Sequence, residues 1–441
     1  MSHEPSVSPT EETVETPIGR RVQSHIYREG VFGRKPDAPC GPVALQQKAK
    51  QRLDSRSWGY IQGSAGAERT ATANVAAFEH HRIVPRMMRD VSTRELSCEF
   101  LGIQATTPFL LSPIGVLETA HSDADLAAAR AARTVGMPFT ISSQASVPME
   151  DIAAELGDTP WIFQLYWSNL DDLAVSFIKR AEDAGASAIA VTLDTSMLGW
   201  RTRDLDHAFL PFAHGMGIAQ YTSDPVFAQL VDERVQATED NSTSGPRPTP
   251  SAVRALMRMS RNYPGNMRDN LRSPYPRAAV ETFLEVFSRP NLTWDDLAFL
   301  REHTTLPIIL KGIQHSDDAH RALDEGVDAL WVSNHGGRQV DGAIASLDAL
   351  PGIAESIDGQ VPIIFDSGVR TGADAFRALA LGAEVVGIGR SYVYGLAVNG
   401  ESGVRSVLEN YQAELDITMG LSGVSKLSDI NREALSSTEW R

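Results

Sequence analysis

The sequence predicts an α/β protein built as a (β/α)8 TIM barrel, and three observations carry that prediction. From Pro108 onward, eight short apolar runs of strand character alternate with amphipathic helical stretches. Gly136, Gly185, Gly326 and Gly382 stand where a helical stretch gives way to the next run, as a left-handed helix cap requires. Each run also ends in a hydrogen-bonding or ionisable residue. In a barrel, those ends gather into one polar site at the C-terminal mouth. A doubly wound open sheet competes with this arrangement, but it normally has fewer strands and gives no reason for eight.

In chain order, Met1 to about Arg20 is rich in Glu, Ser, Thr and Pro and is expected to be a disordered tail. A single domain is expected over 21–425, with 426–441 as a C-terminal tail. It opens with an N-terminal helical segment, Ala44 to Leu53, followed by SWGYIQGSAG at 57–66. Tyr60 precedes that Gly/Ser/Ala loop, so its phenol is either a site donor or an aromatic core anchor. The strands are expected at 109–112, 138–142, 161–165, 187–192, 307–311, 328–333, 361–366 and 384–388. In one intervening stretch, Leu170, Leu173, Ala174, Phe177, Ile178 and Ala181 keep the three-and-four spacing of a helix with one buried face. A long insertion, about 204–293, follows the fourth strand. Its stretch EDNSTSGPRPTPS, at 239–251, is of low complexity and expected to be mobile. Leaving from a strand end, the insertion is expected to hang over the mouth as a lid, an oligomer contact or a passive addition.

Composition narrows the partners. Hydrophobic residues make up 42% and charged residues 22% of the chain, a balance that supports a large core. The formal net charge of −16 argues against nucleic acid or an anionic membrane as the main partner. Cys40 and Cys98 are too few for a disulfide framework or a thiolate metal site, which points to a reducing, cytoplasmic compartment. No apolar run reaches membrane-spanning length, and the first twenty residues lack the apolar stretch of a secretory signal.

The chemistry centres on residues 329–342, ALWVSNHGGRQVDG. A buried strand runs into two glycines, which let a flat ligand approach the backbone closely. His335 and Arg338 suit a substrate with both a removable proton and a carboxylate. A strand-to-helix loop with a locally bonded histidine is the plainer alternative, and the polar cluster weighs against it. Asp366, Ser367, Gly368 and Arg370 follow the seventh strand, and Gly389 and Arg390 the eighth. Such barrels bind a phosphate at that place. Pro113, Ile114 and Gly115 can offer backbone groups to the edge of a planar heterocycle, with Ser142, Gln164 and Thr192 pairing with its heteroatoms. Lys311, closing an apolar strand, fits beside a ring that gains negative charge on reduction, or else forms a structural salt bridge. No GxGxxG after a strand, Walker loop or HExxH is present, and the adjacent His80 and His81 are poorly spaced to share a metal.

SNHGGRQVDG, DSGVR, GIGR, FQLY and VTLDT together resemble the FMN-dependent L-2-hydroxy-acid oxidising family, over about 60–425 without the insertion. SPIGV at 112–116, DTSMLGWRTRDL at 194–205 and YTSDPVF at 221–227 are most similar to its lactate 2-monooxygenase branch. The resemblance implies FMN as cofactor and a small 2-hydroxy acid and O2 as partners. L-Lactate is the expected substrate, converted to acetate, CO2 and water. It further implies His335 as base, Asp194 as the partner of its imidazolium, and Arg338 and Arg201 as the carboxylate clamp. Tyr166 and Tyr60 become hydrogen-bond donors to substrate. Lys311 falls at the N1–C2=O edge of the flavin, with Ser333 beside it and Arg370 and Arg390 on the phosphate. The same resemblance implies a homo-oligomer, a tetramer or octamer. Three departures stand out: Gln144 where glycolate oxidase has tryptophan, Gly115 where the oxidases commonly have alanine, and the insertion length. Gly115 is expected to leave room in which keto acid and peroxide are retained. A simple oxidase releasing 2-keto acid and peroxide is the nearest alternative, and a non-redox FMN-dependent isomerase the alternative from another class.

Overall fold

A computed structural model describes residues 16–239 and 249–437. Eight parallel strands close into a barrel: β1 (Phe109–Leu111), β2 (Phe139–Ser142), β3 (Trp161–Leu165), β4 (Ala188–Thr192), β5 (Ile308–Ile313), β6 (Ala329–Val332), β7 (Ile363–Phe365) and β8 (Val385–Ile388). Seven of the eight expected runs contain one of them whole, and the run 307–311 covers the first four residues of β5. Neighbours follow in chain order round the barrel, and β8 pairs with β1 to close it. The strands are buried on both faces and so read as continuous apolar runs rather than alternating ones.

Two layers of core result. Leu110, Ile162, Ala188, Ile309, Trp331 and Ile364 fill the interior of the barrel. The hairpin Cys98–Phe100 with Ile103–Ala105 plugs it, Phe100 and Ile103 joining that cluster. The outer layer lies between strands and helices, where Leu173, Ala174, Phe177, Ile178 and Ala181 of the helix Asp171–Asp183 are all buried, as the spacing predicted. Gly136, at φ +67°, caps the helix Ala124–Val135 in the left-handed conformation.

Three expectations need correction. The tail expected to run to Arg20 overlaps the helix Ile18–Val31, while residues 1–15 lie outside the described residues. The helix starts one residue after Pro17, and the backbone N–H of its Gly19 donates to the buried Asp416 carboxylate at 2.8 Å, a long-range tie that composition does not reveal. The expected C-terminal tail includes the strand Leu435–Ser437, which pairs antiparallel with His81–Ile83. The insertion is largely helical and packed; of its stretch 239–251, residues 240–248 lie outside the described residues. Tyr221, Phe283, Phe212 and Phe227 build an aromatic cluster that extends onto Phe177 of the barrel. Its loop at Gly217 rests on the loops that follow β1 and β2. Glu118 accepts from the Gly217 N–H at 2.9 Å, and a Cβ on Gly217 would meet Val116 and the Gln144 carbonyl. The insertion therefore supports the outside of the mouth wall.

Candidate active site

Strand register sets the site. Ser142 stands opposite Gln164, and Thr192 opposite Lys311, so the polar ends of β2 to β5 rise to similar heights. Above them opens a cleft of about 1030 Å3, its solvent-filled mouth included. Its walls include Pro113, Ile114, Gly115, Gln164, Lys311, Asp366, Ser367, Gly368, Arg370, Gly389 and Arg390. Tyr60, Tyr166, Arg201, His335 and Arg338 line the same space. Ser142, Thr192, Asp194 and Ser333 do not line it but stand behind those that do.

His335 has φ +58°, an uncommon conformation for a residue with a side chain. The turn that holds it is over-determined: Asn334 Oδ1 accepts from the Gly337 N–H at 3.1 Å, and the His335 N–H donates to Ser333 Oγ at 3.1 Å. Its Nδ1 lies 2.8 Å from Asp194 Oδ1, which fixes the proton on that nitrogen and leaves Nε2 its lone pair. Nε2 faces the Tyr166 hydroxyl at 3.4 Å. Burial lowers the basicity of His335, and the Asp194 charge partly restores it. For Asp194, burial is outweighed by His335, Lys311 and the Thr195 hydroxyl, so its carboxyl is held below its ordinary range. The resting pair is thus neutral imidazole beside carboxylate. Gly312, at φ +110° in a bulge of β5, makes room for Asp194: a Cβ there would lie 2.9 Å from the Asp194 Cβ.

Four guanidinium groups face the cavity, and none is ion-paired with a carboxylate among the described residues. Arg201 donates through Nε to the Arg338 carbonyl and through Nη2 to Gln339 Oε1, and burial followed by the nearby Arg338 charge pushes its pKa down to about 10. Arg338 gives Nη1 to the carbonyls of Tyr60 and Gly63, at 2.6 and 2.8 Å, leaving Nε and Nη2 free toward the cavity. A buried and a half-buried cation side by side call for an anion. Burial raises the pKa of Tyr60 and Tyr166, so both phenols remain donors.

At the far wall, Lys311 Nζ donates to Ser333 Oγ at 2.6 Å and to Asp366 Oδ2 at 3.1 Å, and lies over the Trp331 ring. This leaves one ammonium proton for a ligand. The Arg370 guanidinium has only the Val369 carbonyl as a hydrogen-bond partner among the described residues, while its backbone N–H donates to Asp374. Arg390 is already committed to the carbonyls of Ile61, Gly63 and Gly336 and to Ser64 Oγ. Arg370 is the freer of the two toward an anionic group.

The polar ladder also differs from expectation. Ser142 Oγ donates to Gln164 Oε1 at 2.7 Å, and Gln164 Nε2 to Thr192 Oγ1 at 2.8 Å. Ser142 and Thr192 hold the Gln164 amide in place from below rather than reaching the cavity. Gly115 does not leave open room: a Cβ there would sit 2.8 Å from the Gln144 Cβ and 2.9 Å from its carbonyl oxygen, so the space belongs to the neighbouring loop.

Sequence reasoning gave no role to Thr195 and Gln339. Thr195 Oγ1 donates to Asp194 Oδ1 at 3.0 Å, and Gln339 joins Arg201 to the carbonyls of Asp194 and Met197. Both adjoin residues that were singled out, the only signal they offered. The cavity fits a flat polar ligand with an anionic tail: a buried cation at one edge, glycine-walled backbone, and unpaired guanidinium groups at both ends.

The FMN-dependent dehydrogenase family matches residues 49–437. The FMN-dependent alpha-hydroxy acid dehydrogenase qulF of Penicillium citrinum is 38% identical over 414 residues, 94% of each chain. The L-lactate oxidase of Lysinibacillus sphaericus is 39% identical over 388 residues, 88% of this chain and 90% of the relative. Among solved structures, mandelate oxidase with (S)-4-hydroxymandelic acid superposes with a TM-score of 0.73 at 31% identity, over 90% of this chain and 98% of that one.

Proposed function

The chain belongs to the FMN-dependent dehydrogenase family, and on that premise we propose that it oxidises a small L-2-hydroxy acid, L-lactate first, with O2 as the electron acceptor. FMN, when bound, supplies the two-electron acceptor. In this reading the Lys311 ammonium and the Gln164 amide would hold the ring of the cofactor, and Arg370, with what remains of Arg390, would hold its phosphate. The observation that carries the reading is the His335–Asp194 pair, whose imidazole lines one cavity with the unpaired guanidinium groups of Arg201 and Arg338.

Arg201 and Arg338 take the substrate carboxylate, and two fixed forks orient the carbon next to it. The Tyr60 hydroxyl, which has no hydrogen-bond partner among the described residues, and the Tyr166 hydroxyl donate to the substrate oxygens. Nε2 of His335 accepts a proton, from the hydroxyl if hydride leaves the carbon or from the carbon itself if a carbanion forms. Asp194, already bonded to Nδ1, stabilises the resulting imidazolium.

We further propose that keto acid and peroxide are retained and react to give acetate, CO2 and water. The branch-specific motifs at 112–116, 194–205 and 221–227 support this outcome, as does the mouth wall backed by the insertion at Gly217. The similarity to the L-lactate oxidase of Lysinibacillus sphaericus supports the second reading, a simple oxidase. The test is anaerobic bleaching of the yellow holoenzyme with a panel of 2-hydroxy acids, followed by product analysis on admitting air. Failure of every 2-hydroxy acid to bleach it would reject the oxidation reading. Pyruvate with stoichiometric peroxide would assign release instead of retention.

The free thiols Cys40 and Cys98 support a reducing, cytoplasmic compartment. The exposed side chains of Met197, Leu198 and Trp200 support a homo-oligomer.

A further inference from the structure

Ser367 stands in a backbone conformation that suits glycine. Its φ is +82°, where a residue with a Cβ is strained. The hydroxyl compensates. Ser367 Oγ donates to Asp366 Oδ1 at 2.9 Å and accepts from the Gly336 N–H at 3.0 Å and the Asn334 N–H at 3.3 Å. Its one donor and both lone pairs are thereby used. Ser333 repeats the pattern: its Oγ donates to Asp366 Oδ1 at 2.6 Å and accepts from Lys311 Nζ at 2.6 Å and the His335 N–H at 3.1 Å. The consecutive amides of Asn334, His335 and Gly336 therefore end on two hydroxyls, both aimed by one carboxylate oxygen. The turn needs such anchors, because His335, Gly336 and Gly337 stand at φ +58°, +64° and +78° in succession.

We propose that Ser367 is a positioning residue for the base: its strained backbone is kept for the hydroxyl, which holds the 334–336 turn so that the His335 imidazole keeps Nδ1 on Asp194 and Nε2 toward the substrate. This rests on the reading of His335 as base. The Asn334 and Gly336 N–H groups have no other hydrogen-bond acceptor among the described residues. Without the Ser367 hydroxyl, the turn loses these ties to the loop after β7. Ser333 is a poorer place to test the idea, because its hydroxyl also carries Lys311 and its loss would disturb both walls of the cavity. Arg338, at the end of the same turn, is held separately by the carbonyls of Tyr60 and Gly63. The loss at Ser367 thus falls on the base rather than on the carboxylate clamp.

The test compares Ser367→Gly and Ser367→Ala holoenzymes with the wild type. Anaerobic bleaching is followed with the 2-hydroxy acid that bleaches the wild type fastest, and hydrogen–deuterium exchange is followed in the peptide spanning 331–340. Both variants lose the hydroxyl, and only the glycine also loses the strain. Ser367→Gly is therefore expected to melt higher than Ser367→Ala. Both are expected to bleach at least about 10-fold slower at saturating substrate, with substrate affinity changed by less than about 2-fold. Amide exchange in 331–340 should be faster in both. The acid limb of the bleaching rate should move to lower pH. Burial sets the His335 pKa low and Asp194 raises it against the charges of Lys311 and Arg201, so a looser turn weakens the one raising contact. A glycine variant that bleaches at the wild-type rate, or rates that simply follow melting temperature, overturns the proposal. So does unchanged exchange in both variants. Exchange is read without turnover, so the two readings fail separately. Failure of every 2-hydroxy acid to bleach the wild type rejects the oxidation reading, whereas a bleached wild type with unaltered variants rejects only the role of Ser367.

Discussion

Asp194 places one carboxylate oxygen 2.8 Å from His335 Nδ1, while its other oxygen is buried with no hydrogen-bond partner among the described residues. An orphaned anionic oxygen is costly in the resting site. The cost falls when the imidazole gains a proton, because the whole carboxylate then faces a cation. The pair is therefore arranged for the protonated state that follows proton transfer from substrate.

His335→Gln replaces the imidazole with an amide of similar size, keeps the cavity and removes the base. Holoenzyme yield should be near that of the wild type, and anaerobic bleaching by L-lactate should slow by about 10²–10⁴-fold. Bleaching at the wild-type rate would mean that another group takes the proton.

Asp194→Asn should lower kcat/KM and move its acid limb to lower pH. The sign follows from two opposing effects. Burial already sets the His335 pKa below 6.5, and the Asp194 charge raises it, so losing that charge lowers it further. The neutral imidazole then persists to lower pH while its conjugate acid is less stabilised. A pH–rate profile whose acid limb moves upward would refute this electrostatic role.

Lys311→Met leaves Asp366 buried without its cation, and breaking such a pair costs about 3–5 kcal/mol. The variant should retain less FMN, and its apo form should melt earlier than wild-type apoprotein. Equal FMN content and equal melting temperature together would remove Lys311 from the cofactor wall.

Gly115→Ala must displace the loop at Gln144, given the 2.8 Å approach to its Cβ. If that wall retains the products, free peroxide should rise and acetate yield fall, measured by peroxide assay and acetate quantification in one reaction. An unchanged acetate yield with an intact fold would show that retention does not depend on this contact.

Asp125 is buried near Glu118, and burial raises its pKa from 3.8 to about 7. The folded state holds this proton over a range where the unfolded chain has lost it, so stability falls as pH rises from about 4 to 7. Asp125→Asn should raise the melting temperature at pH 8, by an amount equivalent to ~1–3 kcal/mol, and the gain should vanish near pH 4. A gain independent of pH would point to packing instead.

The barrel was legible because its strands are mostly apolar up to a polar C-terminal end and the helices between them carry an apolar face. The expected starts and ends fell within three residues of the observed ones, as β5 and β7 show. The site was legible in part because strand ends must gather at one mouth. The layering within that mouth was not: Ser142 and Gln164 both end apolar runs, yet one supports and the other faces the cavity. A strand's sequence gives its alternation, whereas depth depends on barrel tilt and the register of its neighbours.

By itself the sequence determined the eight-fold rhythm, the residues at the strand ends, and, through SNHGGRQVDG, the chemistry they suit. The resemblance implied the Asp194–His335 pair, but only the tertiary structure decided that Thr195 joins it and that Arg390 is drawn to the 61–64 loop. It also decided that Gly115 serves a close approach rather than an open space. The physical reason is one of range. Periodicity and turn chemistry act between residues a few positions apart, while hydrogen bonds and steric contacts between loops exist only once the closed barrel has brought those loops together.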